Sequence, residues 1–279
     1  MPVIAMTQEM GSLAKDVALA LAQAAGLAVM RHEVQEGVAG RMHVPGSLIG
    51  RLREGKAGLV ERLSTDQDRV AVYTAQEVYA LASKGNIVLR GWGATQLLRK
   101  VPHVLTVRVT RPFGQRVDWL MDKLGTDDRS FAEAEVRRSD NAHSARMHAL
   151  YDVTWGDPLL YDMVVNMDRV TVDSAVAAIQ QMVARPEFQE TDASRQMLSD
   201  MALSWQVRAA LKDHEATRDL RIDIEARGDT VVLNGIVLNE QERAAAEHVA
   251  TTAAGAGKVD NQLRLMVANR RFASSDAKI

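Results

Sequence analysis

The sequence predicts an α/β domain, built on a parallel sheet with helices on both faces, followed by a small α+β domain. Through residues 1–183, short apolar runs of strand length alternate with segments of helical periodicity, an alternation typical of a parallel sheet. Residues 203–267 follow the order αββαβ over about 65 positions, enough for a small domain that folds by itself. Residues 184–202 hold an acidic stretch around Pro186 and are predicted to be a linker, and the polar tail 268–279 is expected to be disordered.

Composition excludes several classes of protein. The 279 residues contain no cysteine, so disulfide bonds, thiolate catalysis and cysteine-ligated zinc are excluded. A net charge of −2 gives no broad basic surface, and nucleic acid is therefore not expected as a partner. No apolar run approaches the roughly 20 residues of a transmembrane segment and no signal peptide is recognisable, so a cytoplasmic location is expected. The histidines lack ligand spacing such as H-E-x-x-H, and no metal-binding residue is assigned.

Each element of the first domain has its own pattern. The predicted strands are the apolar runs Val3–Met6, Leu27–Met30, Asn86–Arg90, Val104–Val109 and Tyr161–Asn166. The predicted helices are about Ser12–Ala24 (closed by Gly26), Thr74–Ala82, Phe113–Leu124, Ser130–Tyr151 and Val172–Met182, and residues 31–83 are expected to be mostly helical. Asp127 and Asp128 are typical of a helix start. The charged run 51–56 is interpreted as a solvated face, with a wall for an anionic substrate as the alternative.

The turn after the first strand carries the strongest functional signal. It contains Gly11 and Lys15 and opens an alanine-rich helix. A helix N-terminus offers free N–H groups and the positive end of the helix dipole to an anion, and a lysine adds charge for outer phosphates. Against the pattern G-x-x-x-x-G-K-[ST], however, Glu9 stands for the first glycine, Ala14 for the second, and Asp16 for the hydroxyl that holds magnesium. The turn alone fits both a phosphate loop and an ordinary βα turn with an incidental lysine.

Two further polar turns strengthen the phosphate-loop interpretation. Residues 90–93 and 110–116 also follow strands, and ligands of doubly wound sheets bind beyond the carboxyl ends of the strands. The three turns are therefore predicted to converge on one crevice. Trp92 in the second turn has two interpretations, stacking on a base or packing of the turn itself. Asp162 is likewise either a strand-end cap or a residue linked to a metal.

The first domain resembles the cytidylate kinase-like family, P-loop kinases related to the nucleoside monophosphate kinases. The resemblance covers about residues 2–183 and rests on four passages in matching order, at 85–88, 91–94, 107–117 and 155–166. The last passage, W-G-D-P-L-L-Y-D-M-V-V-N, is similar to the stretch that leads into the final strand of that family. The resemblance implies a three-layer P-loop kinase fold that uses ATP and Mg²⁺ to phosphorylate a nucleoside monophosphate such as CMP.

The resemblance also implies a set of site residues. Phosphoryl transfer needs a backbone cradle, a lysine and cations around the transferred group. Contacts to the nucleotide are expected from Gly11, Ser12, Lys15, Asp16, Arg90, Trp92 and Arg111. The catalytic shell is expected from Lys15, Arg116, Arg138 and Arg146, with Asp140 also fitting the pattern and His143 standing near an expected arginine.

This sequence departs from the family pattern at ligand-facing positions. Leu13 and Ala14 replace two glycines of the loop pattern Y-G-S-G-G-[RK]-E. A Cβ at position 14 would crowd the backbone where a phosphate approaches, and it would disfavour positive φ. Trp92 replaces the arginine of a G-R-G-A turn, and Arg31 or His32 stands where an acidic residue is expected.

The second domain resembles a BON domain, a small αββαβ module. Its predicted helix 203–211, strands 221–226, 230–233 and 259–266, and helix from Asn239 to Ala253 carry this resemblance. The motif residues are Val231–Val237, Glu242–Ala244 and Gly255–Asn261, and the match covers about 203–267. It implies binding of a phospholipid, another ligand or a protein partner.

Two functions remain open on the sequence. Lys15 and the arginines favour a working nucleoside monophosphate kinase. The replaced glycines at Leu13 and Ala14, with the loss of arginine at Trp92, favour a kinase fold that has become a binding or regulatory module. Nucleotide binding is expected in both.

Overall fold

A computed structural model describes residues 1–30, 32–91, 93–255 and 257–266. For His32 and Arg62 it describes only the backbone. Trp92, Arg31 and the tail 268–279, which the sequence had singled out, lie outside these residues. The chain divides into two compact units, Met1–Ala202 and a second one from Leu203 onward. Within the described chain, no helix is both long and apolar enough to cross a membrane.

The first unit is built on a parallel five-stranded sheet, as predicted. Its strands are β1 (Val3–Gln8), β2 (Ala28–Met30), β3 (Ile87–Arg90), β4 (Val104–Thr110) and β5 (Met163–Asn166), in the order β2-β3-β1-β4-β5. Every neighbouring pair is parallel. The central strand β1 is buried from Val3 to Met6, as expected for a sheet covered on both faces.

The described part of this unit contains nine α-helices, and a tenth begins in it. They are α1 (Ala14–Ala25), α2 (His32–Met42), α3 (Gly46–Glu54), α4 (Leu59–Ser64), α5 (Gln67–Ala82), α6 (Ala94–Leu97), α7 (Phe113–Leu124), α8 (Arg129–Tyr151), α9 (Val172–Val183) and, crossing the unit boundary, α10 (Asp192–Asp213). One apolar core joins α1 and α9 to the sheet through Val17, Leu21 and Ile179. Asp128 caps α8 by accepting from the Phe131 amide at 2.9 Å, which confirms the predicted helix start.

Three local expectations need correction. Helix α1 begins at Ala14 rather than Ser12, because Leu13 is left-handed at φ 63° and cannot be part of the helix. Strand β5 begins at Met163, because a 3₁₀ turn at Pro158–Leu160 precedes it. The expected linker contains a 3₁₀ turn at Pro186–Phe188 and the first half of α10. Thr191 and Ser194 start that helix by reciprocal hydrogen bonds, in which each amide donates to the hydroxyl of the other residue.

The second unit has the predicted order of one helix, two strands, a helix and a strand. Strands β6 (Ile222–Arg227) and β7 (Thr230–Val237) form an antiparallel hairpin, and β8 (Lys258–Leu265) pairs parallel to β7. Helix α11 (Glu240–Ala254) starts at Asn239, whose side chain accepts from the Glu242 amide at 2.9 Å. The far half of α10 and α11 cover one face of this sheet and bury Val207, Leu233 and Ala250.

Candidate functional site

Three turns meet at the carboxyl edge of the parallel sheet. Strands β3, β1 and β4 are adjacent, so the turns that follow them lie side by side. Met6 near the end of β1 pairs in register with the buried Arg90 at the end of β3, and with Val107 of β4. The structure thus brings together the three turns that the sequence had predicted to converge.

The loop between β1 and α1 turns sharply at two left-handed residues. Gly11 has φ 78° and Leu13 has φ 63°. A Cβ on Gly11 would lie 3.0 Å from the carbonyl oxygen of Arg116, so the close approach of α7 requires glycine there. The Ser12 amide donates to the Glu9 carbonyl at 3.3 Å. Beyond this turn, the first N–H groups of α1 have no acceptor within the helix and are left for water or an anion.

The side chains of the loop differ in exposure and in hydrogen bonding. Lys15 and Asp16 are exposed on the first turn of α1, while Ala14 packs into the core. Ser12 is 1% exposed, and its Oγ has no hydrogen-bond partner among the described residues. Its hydroxyl and the Asp16 carboxylate are oxygen groups of the kind that Mg²⁺ prefers beside phosphate oxygens and water. No cluster of three His, Asp or Glu suited to a metal ion occurs in the described ranges.

Glu9 holds the loop to the neighbouring strand. Its carboxylate accepts from Arg108 Nη2 at 2.7 Å and from Thr110 Oγ1 at 2.6 Å. It also lies 3.5 Å from Arg116 Nε. The sequence marked Glu9 only as a missing glycine and gave Arg108, which lies in a family-like passage, no role at the site. These residues are 99 positions apart, and no local pattern links them.

Arg116 is engaged by carboxylates instead of facing open solvent. Its Nη1 and Nη2 donate to the two carboxylate oxygens of Asp140 at 2.9 Å each, which ties α7 to α8. Its Nε donates to the Arg111 carbonyl at 3.1 Å, and the side chain is 7% exposed. The side chain of Arg111 donates through Nε to Gln115 Oε1 at 2.8 Å. Both expected arginines therefore lie beside the loop, with Arg116 neutralised by its partners.

A cavity of about 950 Å³ opens between α3, α5 and α8. Aliphatic side chains and alanines form most of its wall, together with the arginines Arg53, Arg137, Arg138 and Arg146. Arg146 is largely buried, and its Nη2 donates to the Leu52 carbonyl at 2.9 Å. Arg138 pairs with Glu135 at the surface. The catalytic arginines expected from α8 thus line a second pocket, and Arg53 joins them from the run that had been interpreted as solvated.

Gly91 and Gly93 allow two cavity residues to approach the second turn. A Cβ on Gly91 would meet the Arg53 guanidinium at 2.5 Å, and one on Gly93 would collide with the Tyr151 hydroxyl. Both glycines also have positive φ, at 83° and 71°. The turn after β3 is therefore shaped by the cavity wall, and only glycine fits both positions.

A stack of three side chains connects the loop to the cavity. The Arg108 guanidinium lies 4.3 Å from the Trp155 ring centre, and the His143 ring stacks on the same tryptophan at 4.7 Å. Trp155 Nε1 donates to Thr7 Oγ1 at 3.1 Å, which fixes the indole against β1. Because Arg108 also binds Glu9, the stack runs from the first residue of the loop to the cavity wall.

His143 is uncharged in this setting. Burial, and after it the nearby positive charges of Arg53, Arg146 and Arg108, together lower the pKa of its imidazole to about 3. Asp162, by contrast, accepts from the Thr106 amide and hydroxyl at 2.8 and 2.6 Å, the behaviour of a strand-end cap.

Comparison with known proteins identifies relatives of both units. The model of the cytidylate kinase-like family matches residues 3–169, and that of the BON domain matches residues 199–266. A cytidylate kinase of Methanococcus aeolicus is 26% identical over 106 residues, which is 37% of this chain and 59% of that relative. The chain thus matches less than two thirds of the relative's length.

Solved structures match about two thirds of this chain. An uncharacterized protein from Eubacterium ventriosum covers 66% of this chain and 100% of its own, with a TM-score of 0.51 and 20% identity. A gluconokinase from Sinorhizobium meliloti covers 68% of this chain and 98% of its own, with a TM-score of 0.45 and 17% identity. At 20% identity, the likeness to the Eubacterium ventriosum protein shows a shared fold and nothing about function.

Proposed function

Because the chain belongs to the cytidylate kinase-like family and carries a BON domain, we propose that it is a nucleotide-binding kinase that acts in the cytoplasm. It transfers a phosphoryl group from ATP to a nucleoside monophosphate, with CMP as the first acceptor to test. The donor phosphates bind at the loop after β1, and the acceptor binds in the cavity between α3, α5 and α8.

One observation carries this proposal: packed side chains connect an arginine-lined cavity to the loop after β1. Arg53 and Arg146 place positive charge in the cavity wall, and the path from Glu9 through Arg108 and Trp155 joins that wall to the loop. Phosphoryl transfer depends on holding two anionic groups close together and neutralising their charge, and this arrangement suits both tasks.

Each part has a role in the transfer. The amides of the loop and Lys15 hold the donor phosphates, and Arg53 and Arg146 hold the acceptor phosphate. Arg138 lies on the same helix as Arg146 and supplies charge to the group in transit. An acceptor phosphate oxygen attacks the γ-phosphorus, the bond from that phosphorus to the β,γ-bridging oxygen breaks, and ADP leaves. Mg²⁺ would neutralise charge on the donor phosphates when bound, and the oxygen groups of Ser12 and Asp16 would hold it.

The loop is expected to make this transfer slow. Leu13 keeps a left-handed conformation despite its side chain, at a loop position where the family pattern has glycine, and a Cβ beside the loop amides would hinder the close approach of a phosphate. Arg116 gives its charge to Asp140 and Glu9, so it contributes less to a phosphate nearby. Both effects weaken the stabilisation of developing charge, on which catalysis depends.

A second candidate is a nucleotide-binding module that transfers no phosphate. The capture of Arg116 by Asp140 favours it, as does the absence of a hydroxyl at Asp16. In this case the first unit responds to a nucleotide, and the BON domain binds a phospholipid or a protein partner.

The two candidates differ in a transfer assay. Protein is incubated with γ-³²P-labelled ATP, Mg²⁺ and CMP, UMP, AMP or GMP, and labelled diphosphate is separated from ATP. Formation of a labelled nucleoside diphosphate that Lys15→Ala abolishes supports the kinase. Calorimetric binding of ATP–Mg²⁺ or of a monophosphate without labelled product supports the binding module. No binding up to millimolar nucleotide contradicts both.

A further inference from the structure

The cavity wall carries charge of one sign only. Its ionised side chains are Arg53, Arg137, Arg138 and Arg146, and no carboxylate belongs to the described residues that line it. Guanidinium groups donate hydrogen bonds and cannot accept them. These arginines suit the phosphate of a ligand but offer no acceptor to the hydroxyl or N–H donors of a sugar or base.

Few uncharged polar groups of the wall are available for those donors. Thr74 Oγ1 already donates to the Val70 carbonyl at 2.6 Å. The Tyr151 hydroxyl lies against Gly93, and burial raises the pKa of this phenol, so it stays protonated. Asn141 and Gln67 offer amide groups on α8 and α5.

His143 is the best positioned of these groups. Its ring stacks on Trp155 at 4.7 Å with an interplanar angle of 25°, so its orientation is fixed before a ligand binds. The imidazole makes no hydrogen bond to another residue within the described ranges, although it lines the cavity. A neutral imidazole has one N–H donor and one acceptor nitrogen, and the pKa of about 3 keeps His143 in that form.

The position of His143 along α8 places it between two groups of cations. Arg146 lies three residues further along the helix, roughly 4.5 Å along its axis, and Arg138 lies five residues before, roughly 7.5 Å away. A ligand whose phosphate is held by arginines therefore has its uncharged part within reach of the imidazole.

We propose that His143 is a specificity-determining residue of the cavity, whose uncharged imidazole hydrogen bonds the nucleoside part of the acceptor while the arginines hold the phosphate. This inference rests on the proposed function, since it assumes that a nucleoside monophosphate occupies the cavity. A contact to the nucleoside can be distinguished from a contact to the phosphate by comparing the binding of CMP and cytidine. A contact to the nucleoside contributes equally to binding of CMP and of cytidine, whereas a contact to the phosphate contributes only to CMP.

The test measures dissociation constants of CMP and cytidine, by calorimetry or ligand-observed NMR up to millimolar concentrations. Wild type is compared with His143→Ala, His143→Gln and His143→Arg. We expect His143→Ala to weaken the binding of CMP and of cytidine by the same factor. That factor should be about tenfold, which corresponds to the loss of one hydrogen bond to a buried group. The glutamine of His143→Gln can also donate and accept a hydrogen bond. Both dissociation constants of this variant should therefore stay within about threefold of the wild-type values. His143→Arg should raise the ratio of CMP affinity to cytidine affinity at least about fivefold, because it adds a charge that only CMP can use.

Two controls separate recognition from structural damage. His148→Ala, an exposed histidine on the same helix outside the cavity wall, should leave both constants unchanged. Circular dichroism should show that the His143 variants are folded. If His143→Ala weakened the binding of CMP but not of cytidine, or weakened the binding of neither, the inference would be overturned while the proposed function stood. If wild type bound no nucleotide, the inference would fall together with the proposed function.

Discussion

Arg116 and Asp140 form a two-pronged ion pair, with both N–O distances at 2.9 Å, that joins α7 to α8 beside the loop after β1. The arginine is 7% exposed and the aspartate 26% exposed, so the pair is only partly hydrated. Because Glu9 also lies 3.5 Å from Arg116, one cation serves two carboxylates. The pair therefore stabilises the position of α8 and at the same time occupies an arginine that a phosphate would otherwise attract.

Asp140→Asn should lower stability and release Arg116. Asparagine carries no negative charge, so the partly buried positive charge of Arg116 would lose the carboxylate that neutralises it. We expect the free energy of unfolding to fall by about 1–3 kcal/mol in urea denaturation. Affinity for ATP should rise, because the freed guanidinium can meet the phosphates.

Asp118→Asn is the matched control, since Asp118 of α7 pairs with Arg129 of α8 at 2.7 Å in an exposed position. Its loss should change stability by no more than about 0.5 kcal/mol and leave ATP affinity unchanged. Equal effects of the two substitutions would contradict the role assigned to the Arg116–Asp140 pair.

At position 13, replacement by glycine should destabilise the protein less than replacement by alanine. At φ 63° any Cβ is strained by about 1 kcal/mol, and glycine removes this strain whereas alanine keeps it. Both substitutions lose the contact of the leucine side chain with the core. We therefore expect Leu13→Gly to be more stable than Leu13→Ala by about 1 kcal/mol in urea denaturation.

Leu19, exposed inside α1, provides the opposite case. There Leu19→Gly should be about 1 kcal/mol less stable than Leu19→Ala, because glycine disfavours a helix interior. The same order at both positions would show that the left-handed backbone at residue 13 carries no strain.

His143 should make the protein sensitive to mild acid. With a folded pKa of about 3 against an ordinary value of 6.5, the imidazole is neutral when folded and protonated when unfolded between these values. The unfolded state then binds more protons, so stability falls as the pH drops below about 6.5, by up to about 1.4 kcal/mol per pH unit from this group.

Urea denaturation of wild type and His143→Gln between pH 7.5 and 4.5 checks this slope. The difference in stability should shift in favour of the glutamine variant as the pH falls. Parallel curves for wild type and His143→Gln would mean that this imidazole does not resist protonation in the folded state.

Much of the fold follows from local patterns. The apolar run at Val3–Met6, the glycine at Gly11 and the alanines of α1 predict a strand, a turn and a helix, and the structure has all three. Asp128 was recognisable as a helix start because capping depends on residues only three positions apart. The parallel sheet follows from the alternation of elements.

The candidate site depends on contacts that local patterns do not encode. Glu9 and Arg108 meet because β1 and β4 are neighbours, and this strand order is set by packing of the whole unit. Arg53 was interpreted as solvated because a charged run has no periodicity that points it inward, yet the turn at Gly91 gives it a place in the cavity wall. The stack of His143 on Trp155 joins α8 to the turn that follows it, and nothing in either segment alone predicts it.

Lys15 offers the most direct test of nucleotide binding at the loop. It is exposed on the first turn of α1, so Lys15→Ala should leave the fold intact, while loss of a charged contact to phosphate corresponds to about tenfold or more in affinity. Lys100→Ala, another exposed lysine, serves as the control. In calorimetric titration with ATP and Mg²⁺, we expect submillimolar binding by wild type and Lys100→Ala, and binding at least about tenfold weaker by Lys15→Ala. No binding by wild type up to millimolar ATP, or equal binding by all three proteins, would contradict a phosphate site at this loop.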